Sequence, residues 1–384
     1  MGIQLYPPTR THAARAAEPE TRRRHRLRTT LLVLAGIVAL VTASAGAYLF
    51  SLGHAYDSQA KIIENPFPPE SSRPQPGSSA APGEAAGPAA APPGSVPAAG
   101  PAADGATATA AGSLNVLVMG SDSRGATANE AVSGTSSNQR ADTLMLVHIP
   151  ADRSKVFAIS LMRDLWVDIP GNGRAKINAA LAYGGVPLMV QTVESLFNQR
   201  IDHVAMIDFE GFVGLTDALG GVEVNIKQPF VSAHEGFKFR QGPKVLDGRH
   251  ALEFVRERYA FSDGDYQRVR NQQAFVEALF AKNLSPETLL NPVKVHNLVT
   301  AMAPYISVDS GLNAAALAGL ALELHNVRAA DMEMFTLPTL GVGTSADGQS
   351  IVLPNYAAIR DIAQALAGDS LETYVASEGL PDGH

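Results

Sequence analysis

Residues 31–50 form a run of 20 predominantly apolar residues inside a stretch, 29–53, that carries no charge. That length matches a helix crossing a ~30 Å hydrocarbon core, whereas the apolar part of a secretory leader has only ~7 to 15 residues. Upstream, residues 1–28 hold seven Arg and two Glu, a local net of +5, although the 384-residue chain sums to −7. Everything after residue 28 therefore sums to −12, and only the tail is basic. A basic flank stays on the cytoplasmic side. These features predict a single-pass membrane protein with a cytoplasmic tail over 1–28, a transmembrane helix over 29–52 and an extracytoplasmic remainder. Ala43-Ser44-Ala45 and Ala45-Gly46-Ala47 resemble signal-peptidase sites, so a cleaved leader is the alternative; either way the working part lies outside the cytoplasm.

From residue 53 to 112 the chain turns to Pro, Ala, Gly and Ser, and eleven of its 25 prolines lie between Pro66 and Pro101. Such a composition buries too little apolar surface to offset its ordering entropy, which predicts a disordered stalk. The absence of Cys excludes a disulfide framework, a thiol nucleophile and thiolate metal sites. An acidic chain outside its tail also lacks the basic surface that coats nucleic acid, so no nucleic-acid partner is expected.

Regular structure is predicted from residue 114. Apolar runs at 114–119, 143–149, 156–162, 165–169, 204–207 and 222–226 read as strands. Pro187 stands at a first helical position ahead of Val190, Val193, Leu196 and Phe197 on one face. Further helices are predicted over 212–219, from an Asp247 cap through 255, and from an Asp265 cap through 280. The mixture predicts an α/β fold, a three-layer domain with a mixed central sheet.

No GxxxxGK[ST] loop, GxSxG elbow or HExxH motif is present. Arg and Asp residues instead collect at strand ends and turns: Asp122, Arg124, Arg140, Asp142, Arg163, Asp164, Arg174, Lys176, Arg256 and Arg258. Singly, an Asp after a strand is a turn former and an Arg is solvated surface. Asp122 and Arg163 follow strands and Asp142 precedes one, however, so antiparallel neighbours bring all three to one sheet edge. Gathered arginines suit a phosphate ligand, and two adjacent carboxylates suit Mg²⁺ bridging protein and phosphate oxygens.

The stretches Asn115-Val116-Leu117-Val118-Met119-Gly120-Ser121-Asp122, Arg140-Ala141-Asp142-Thr143, Ser160-Leu161-Met162-Arg163-Asp164 and Lys176-Ile177-Asn178 resemble the LytR-CpsA-Psr family. So do Asp217-Ala218-Leu219-Gly220-Gly221, Val255-Arg256-Glu257-Arg258 and Asp265-Tyr266-Gln267-Arg268-Val269-Arg270-Asn271-Gln272, all in family order. The resemblance implies a catalytic core over 113–282, an extension of the same domain over 283–370 and a tail over 371–384. It further implies an Mg²⁺-dependent phosphotransferase moving a glycopolymer from a polyprenyl pyrophosphate carrier to peptidoglycan. By position, Asp122 and Asp142 match the metal carboxylates, and Arg163, Arg256, Arg258 and Arg268 the pyrophosphate-binding arginines. Arg140, Lys176, Gln272 and Arg124 are supporting substrate-binding positions. Asp164 is a candidate general base, with pairing to a neighbouring Arg as its structural alternative. Asn271 departs from the family, many members of which have a basic residue there. Teichoic acid, arabinogalactan and capsular glycan remain open as the polymer, with 22 Arg against 8 Lys favouring a high-GC, actinobacterial wall. A polyprenyl phosphate-binding protein, a pyrophosphatase and a membrane-bound transcriptional attenuator are the alternatives.

Overall fold

The computed structural model describes residues 53–54, 56–75, 112–122, 140–283 and 291–380. The chain divides into residues 1–51 and 52–384, and all described residues belong to the second unit. The basic tail, the apolar run, Arg124 and the Pro/Ala segment from 76 to 111 lie outside the described residues. Among the described residues no helix is long and apolar enough to cross a membrane.

The strands are β1 (Lys61–Ile63), β2 (Leu114–Ser121), β3 (Ala141–Ile149), β4 (Val156–Ser160), β5 (Trp166–Ile169), β6 (Gly173–Lys176), β7 (His203–Asp208) and β8 (Val222–Ile226). They continue as β9 (Phe230–Val231), β10 (Lys238–Phe239), β11 (Gly242–Leu246), β12 (Ser307–Asp309), β13 (Met332–Thr336), β14 (Thr339–Thr344) and β15 (Ser350–Pro354). The helices are α1 (Ala179–Phe197), α2 (Phe209–Ala218), α3 (Gly248–Arg256), α4 (Asp265–Asn283), α5 (Pro292–Met302), α6 (Ala314–Glu323), α7 (Tyr356–Ala367) and α8 (Leu371–Glu378). Seven strands form the central sheet in the order β1–β12–β7–β2–β3–β4–β13. β2 is parallel to β7 and antiparallel to β3, and β3 is antiparallel to β4. The expected mixed sheet is therefore present.

Period-two alternation divides each central strand between two faces. Leu117 and Met119 of β2 pair with Leu146 and Leu144 of β3 and are fully buried with Val190, Val193 and Phe197 of α1 and Ile362 of α7. Val116 and Val118 lie on the opposite face with Val147 and Met145 and line a cavity. Where the strands reach the sheet edge the ladder slips: Gly120 pairs with Thr143 but Ser121 with Ala141, leaving Asp142 as the extra residue of a bulge. Glycine suits the position, since a Cβ at Gly120 would lie 3.0 Å from the Thr143 Cβ and the neighbour would have to shift.

α1 is broken at Gly184 and Gly185, so Pro187 opens its second segment as its ring geometry favours. Asp247 caps α3 through the His250 N–H at 2.9 Å, as predicted. Asp265, predicted as the cap of α4, is instead that helix's first residue, and its carboxylate is engaged by arginines.

Two predicted boundaries are corrected. The stalk does not begin at 53: Tyr56 and Ile63 are 3% and 1% exposed, and β1 runs parallel to β12 as a sheet edge. Arg73 meets the buried Glu194 at 2.6 Å and stacks over Phe67 at 4.7 Å. The physical reason is local. Tyr56, Ile62, Ile63 and Phe67 form a short apolar cluster ahead of the Pro/Ala run, which averaging over sixty residues conceals. Likewise 371–384 is not wholly a tail, because α8 buries Leu371 and Val375 in the main core. The extension over 283–370 supplies two central strands, β12 and β13, the latter in register with β4.

Candidate active site

Antiparallel pairing of β2, β3 and β4 sets the end of β2, the bulge of β3 and the turn after β4 side by side. Arg163 reaches back across this edge, its Nη1 donating to Asp142 Oδ1 at 2.5 Å. Its Nε lies 3.6 Å from Asp164 and its Nη2 3.9 Å from Asp265. Lys176, the last residue of β6, closes on Asp164 at 3.1 Å. From α4, Asp265 faces Arg268 at 3.1 Å and Arg258 at 3.5 Å. Arg163, Lys176, Arg258 and Arg268 thus converge on Asp142, Asp164 and Asp265.

The pairing is incomplete. Arg163 Nε and Arg268 Nε are buried without a hydrogen-bond partner. Arg268 is 4% exposed, and burial, reinforced by the charges of Arg163 and Arg258, pushes its guanidinium down to about 10. Buried donors left unsatisfied cost about 1–3 kcal/mol each, more when charged, so an anion that completes them would be favoured here; Asp265 Oδ1 is likewise buried without a hydrogen-bond partner. For Asp164, burial works to raise the carboxyl, but contact with Asp265 and the charges of Arg163 and Lys176 hold it below the usual carboxylate range. A carboxylate of that kind is a poor proton acceptor at neutral pH.

The remaining candidates lie nearby. Asp122 and Arg140 exchange weak contacts across the strand ends, Asp122 accepting from the Arg140 backbone N–H at 3.4 Å. Arg256 stacks over Phe209 at 4.3 Å and lines the same cavity. Gln272 also lines it, yet its amide donates to the Val255 carbonyl at 3.3 Å, while Asn271 donates to the Phe254 carbonyl at 3.0 Å. These are carbonyls of the last turn of α3, which a helix leaves unpaired. α4 therefore satisfies the end of α3 and fixes the segment carrying Arg256 and Arg258. Asn271, in this chain, is part of that tie.

Two carboxylates were not foreseen as site residues. Asp265 was read only as a cap, although its i,i+3 spacing to Arg268 signals a pair on one helix face. Glu257, between the two arginines of the Arg-Glu-Arg motif, is buried and accepts from Arg258, Tyr259 and Ala260 backbone N–H groups at 2.9, 2.7 and 3.0 Å. Nothing in its spacing distinguished it from a solvated acid.

The charged edge opens onto a cavity of about 1590 Å³. Its floor is the second sheet face, including Val118, Met145 and Ala158, and its walls include Phe275 and Leu279 of α4 and Leu320 of α6. The lining continues from Asp142 to Ile149 along β3, roughly 20 Å at strand rise. Among the described residues no group of three or more His, Asp or Glu is arranged to hold a metal. Asp122 and Asp142, two carboxylates at one edge, fit in number the one or two that Mg²⁺ takes alongside phosphate oxygens.

Residues 97–368 match the family described as LytR_cpsA_psr. The probable cell wall biosynthesis protein LcpB of Corynebacterium glutamicum is 37% identical over 56% of this chain and 53% of its own length. The polyisoprenyl-teichoic acid--peptidoglycan teichoic acid transferase TagU of Oceanobacillus iheyensis is 38% identical over 43% of this chain and 50% of its own length. This chain therefore spans about half the length of the curated relatives it matches. A solved structure of TagT bound to LI-WTA is 25% identical, with a TM-score of 0.52 over 67% of this chain and 90% of that one. With most of the folded unit matched in sequence and the α/β architecture shared, the chain belongs to the LytR-CpsA-Psr family.

Proposed function

We propose that this chain is a phosphotransferase that moves a glycopolymer from a polyprenyl pyrophosphate carrier to peptidoglycan. The observation that carries the reading is the juxtaposition of an under-satisfied guanidinium cluster with a long apolar cavity. A lipid pyrophosphate has those two unlike ends, and few other substrates need both. The names of TagU and of the TagT complex agree with it.

In the proposed reaction an acceptor sugar hydroxyl attacks the phosphorus that bears the glycan. The new phosphodiester bond forms as the bond to the bridging oxygen breaks, and polyprenyl phosphate leaves with that electron pair. The hydroxyl proton passes to solvent or to the departing phosphate. Arg163, Arg258 and Arg268 hold the diphosphate oxygens and neutralise charge on the leaving phosphate, the main requirement of phosphoryl transfer. Arg256, Arg140 and Lys176 extend the positive rim, Gln272 fixes the Arg256–Arg258 segment, and Asp164 holds Lys176 and Arg163 in place. Mg²⁺, held by Asp122 and Asp142, would supply further charge neutralisation at the phosphate oxygens. The basic tail and apolar run make the chain a single-pass membrane protein with its N-terminus in the cytoplasm and this site outside, where both substrates lie.

Incubating the protein with a synthetic polyprenyl pyrophosphate glycan and peptidoglycan fragments, with and without Mg²⁺, tests this by mass spectrometry. The expected product is glycan joined to peptidoglycan through a phosphodiester. Release of free glycan phosphate would mark a pyrophosphatase, and tight binding without product a carrier-binding protein.

A further inference from the structure

Tyr259 is 71% exposed, yet both its backbone and its phenol oxygen are hydrogen-bonded. Its backbone N–H donates to Glu257 Oε1 at 2.7 Å, and the same oxygen accepts from the residues on either side. The other oxygen of Glu257 accepts from the Ala233 N–H at 2.6 Å, tying the turn to the loop between β9 and β10. The phenol oxygen accepts from Arg258 Nη2 at 2.5 Å, and the Arg258 guanidinium lies 4.5 Å from the ring centroid. A buried carboxylate and a cation thus fix an aromatic ring that core packing does not hold. Tyr259 lines the cavity together with Arg163, Arg256, Arg258 and Arg268.

Leaving an aromatic face in water forgoes its burial, so a face kept there is available to a ligand. Next to a phosphate clamp the fitting ligand is a sugar. The axial C–H groups of a pyranose present a flat, weakly positive surface to an aromatic face, and the ring hydroxyls stay in water. From this geometry we infer that Tyr259 is a pyranose-stacking residue that sets the sugar attached to, or attacking, the phosphorus. The inference rests on the transferase reading for its substrate class. The sugar is either the first residue of the lipid-linked glycan or the peptidoglycan acceptor.

Three measurements on Tyr259→Ala and Tyr259→Trp test it. Tyr259→Ala should raise the KM of one of the two glycan substrates roughly 3- to 10-fold, the loss expected for one ring contact, with kcat and melting temperature nearly unchanged. A rise for the acceptor alone places the acceptor sugar on the ring; a rise for the donor alone places the donor sugar there. Tyr259→Trp should restore most of the affinity. Polyprenyl monophosphate, which has no sugar, should bind wild type and Tyr259→Ala equally; equal weakening of this probe would mean that Tyr259 acts only through Arg258, overturning the inference. Unchanged KM for both glycans would overturn it too. Calorimetric binding of soluble peptidoglycan oligosaccharide and of the lipid-linked glycan needs no turnover. A wild-type protein that fails to transfer but binds one of them through Tyr259 therefore refutes the transferase reading while leaving the stacking role standing.

Discussion

Two largely enclosed arginines in this fold meet acids in opposite ways. Arg73 donates from Nε and Nη2 to Glu194 Oε1 at 3.0 and 2.6 Å and from Nη2 to the Ile201 carbonyl at 2.6 Å. Glu194 Oε1 in turn accepts from the Ile201 N–H at 2.9 Å. Arg268, with 4% side-chain exposure against 9% for Arg73, faces Asp265 at 3.1 Å with its Nε unsatisfied and other cations beside it. In the first arrangement the Arg73 Nε and Nη2 donors are both engaged, joining the N-terminal segment to α1 and the start of β7, although Glu194 Oε2 is itself buried without a partner. The second crowds Arg163 and Arg258 beside Arg268 and leaves guanidinium donors unengaged. The difference lies in the guanidinium: one whose Nε and Nη2 are engaged ties the fold together, whereas one that leaves Nε empty beside a cavity offers a donor to a ligand.

The comparison breaks first on the Arg73–Glu194 pair. Arg73→Ala leaves Glu194 buried and uncompensated, a defect that costs about 3–5 kcal/mol. Chemical denaturation should show that loss, with transfer per folded molecule unchanged. Arg73→Ala with an unaltered unfolding midpoint would mean that the N-terminal segment only rests on the surface.

On the open cluster the pattern should invert. Arg163→Ala and Arg268→Ala each remove a charge-assisted contact to phosphate, about 1.5–3 kcal/mol, or roughly 10- to 150-fold in transfer rate. Stability should change little for Arg268→Ala, since a desolvated cation is removed and Asp265 keeps Arg258 and Arg163 beside it. Lys at either position should not restore activity fully, because an ammonium lacks the planar fork. Variants that melt early yet transfer normally would reduce the cluster to a structural network.

The same contrast explains what could be read from sequence. The β2, β3 and β4 strands were legible because apolar runs are local, and β3 and β4 are joined by a tight turn, although 19 residues separate β2 from β3. Arg163, Asp142, Arg258 and Arg268 followed from the edge those strands share and from the family motifs. The Arg73–Glu194 pair was not legible, since its partners lie 121 residues apart and Arg73 sits among prolines. Glu257 escaped for another reason. Its role depends on backbone N–H groups, which every residue has, so no side-chain pattern announces it. Asp265 starts a helix, where an Asp is most often a cap; its i,i+3 pairing with Arg268 was there to be read, but Arg258 and Arg163 reach it from other elements.

A smaller effect is expected where the proposed metal would act. Asp122→Ala and Asp142→Ala should weaken apparent Mg²⁺ affinity in the transfer assay, and raising Mg²⁺ should recover part of the rate. The arginine variants should gain little from the same treatment. Asp142→Ala also frees Arg163 from its 2.5 Å contact, so it should recover less completely than Asp122→Ala. Identical Mg²⁺ titrations for wild type and both variants would remove these carboxylates from the metal assignment.

The smallest change should come from pH acting on Asp164. Its carboxyl is held below its ordinary value in the folded protein, so it contributes stability above the unfolded pKa of about 3.9, lost as pH falls through the lower folded value. In Asp164→Asn that contribution is missing at every pH. The variant should therefore melt slightly below wild type at pH 7, with the two melting curves converging as pH drops below about 4. Lys176 and Arg163 lose a partner but remain partly hydrated at 22% and 17% side-chain exposure, which keeps the difference small. If Asp164 behaves like Glu194, the gap at pH 7 will be several-fold larger and transfer will be intact. If it belongs to the open cluster, the gap will be slight and transfer will fall, because Lys176 and Arg163 will no longer be held toward the phosphates.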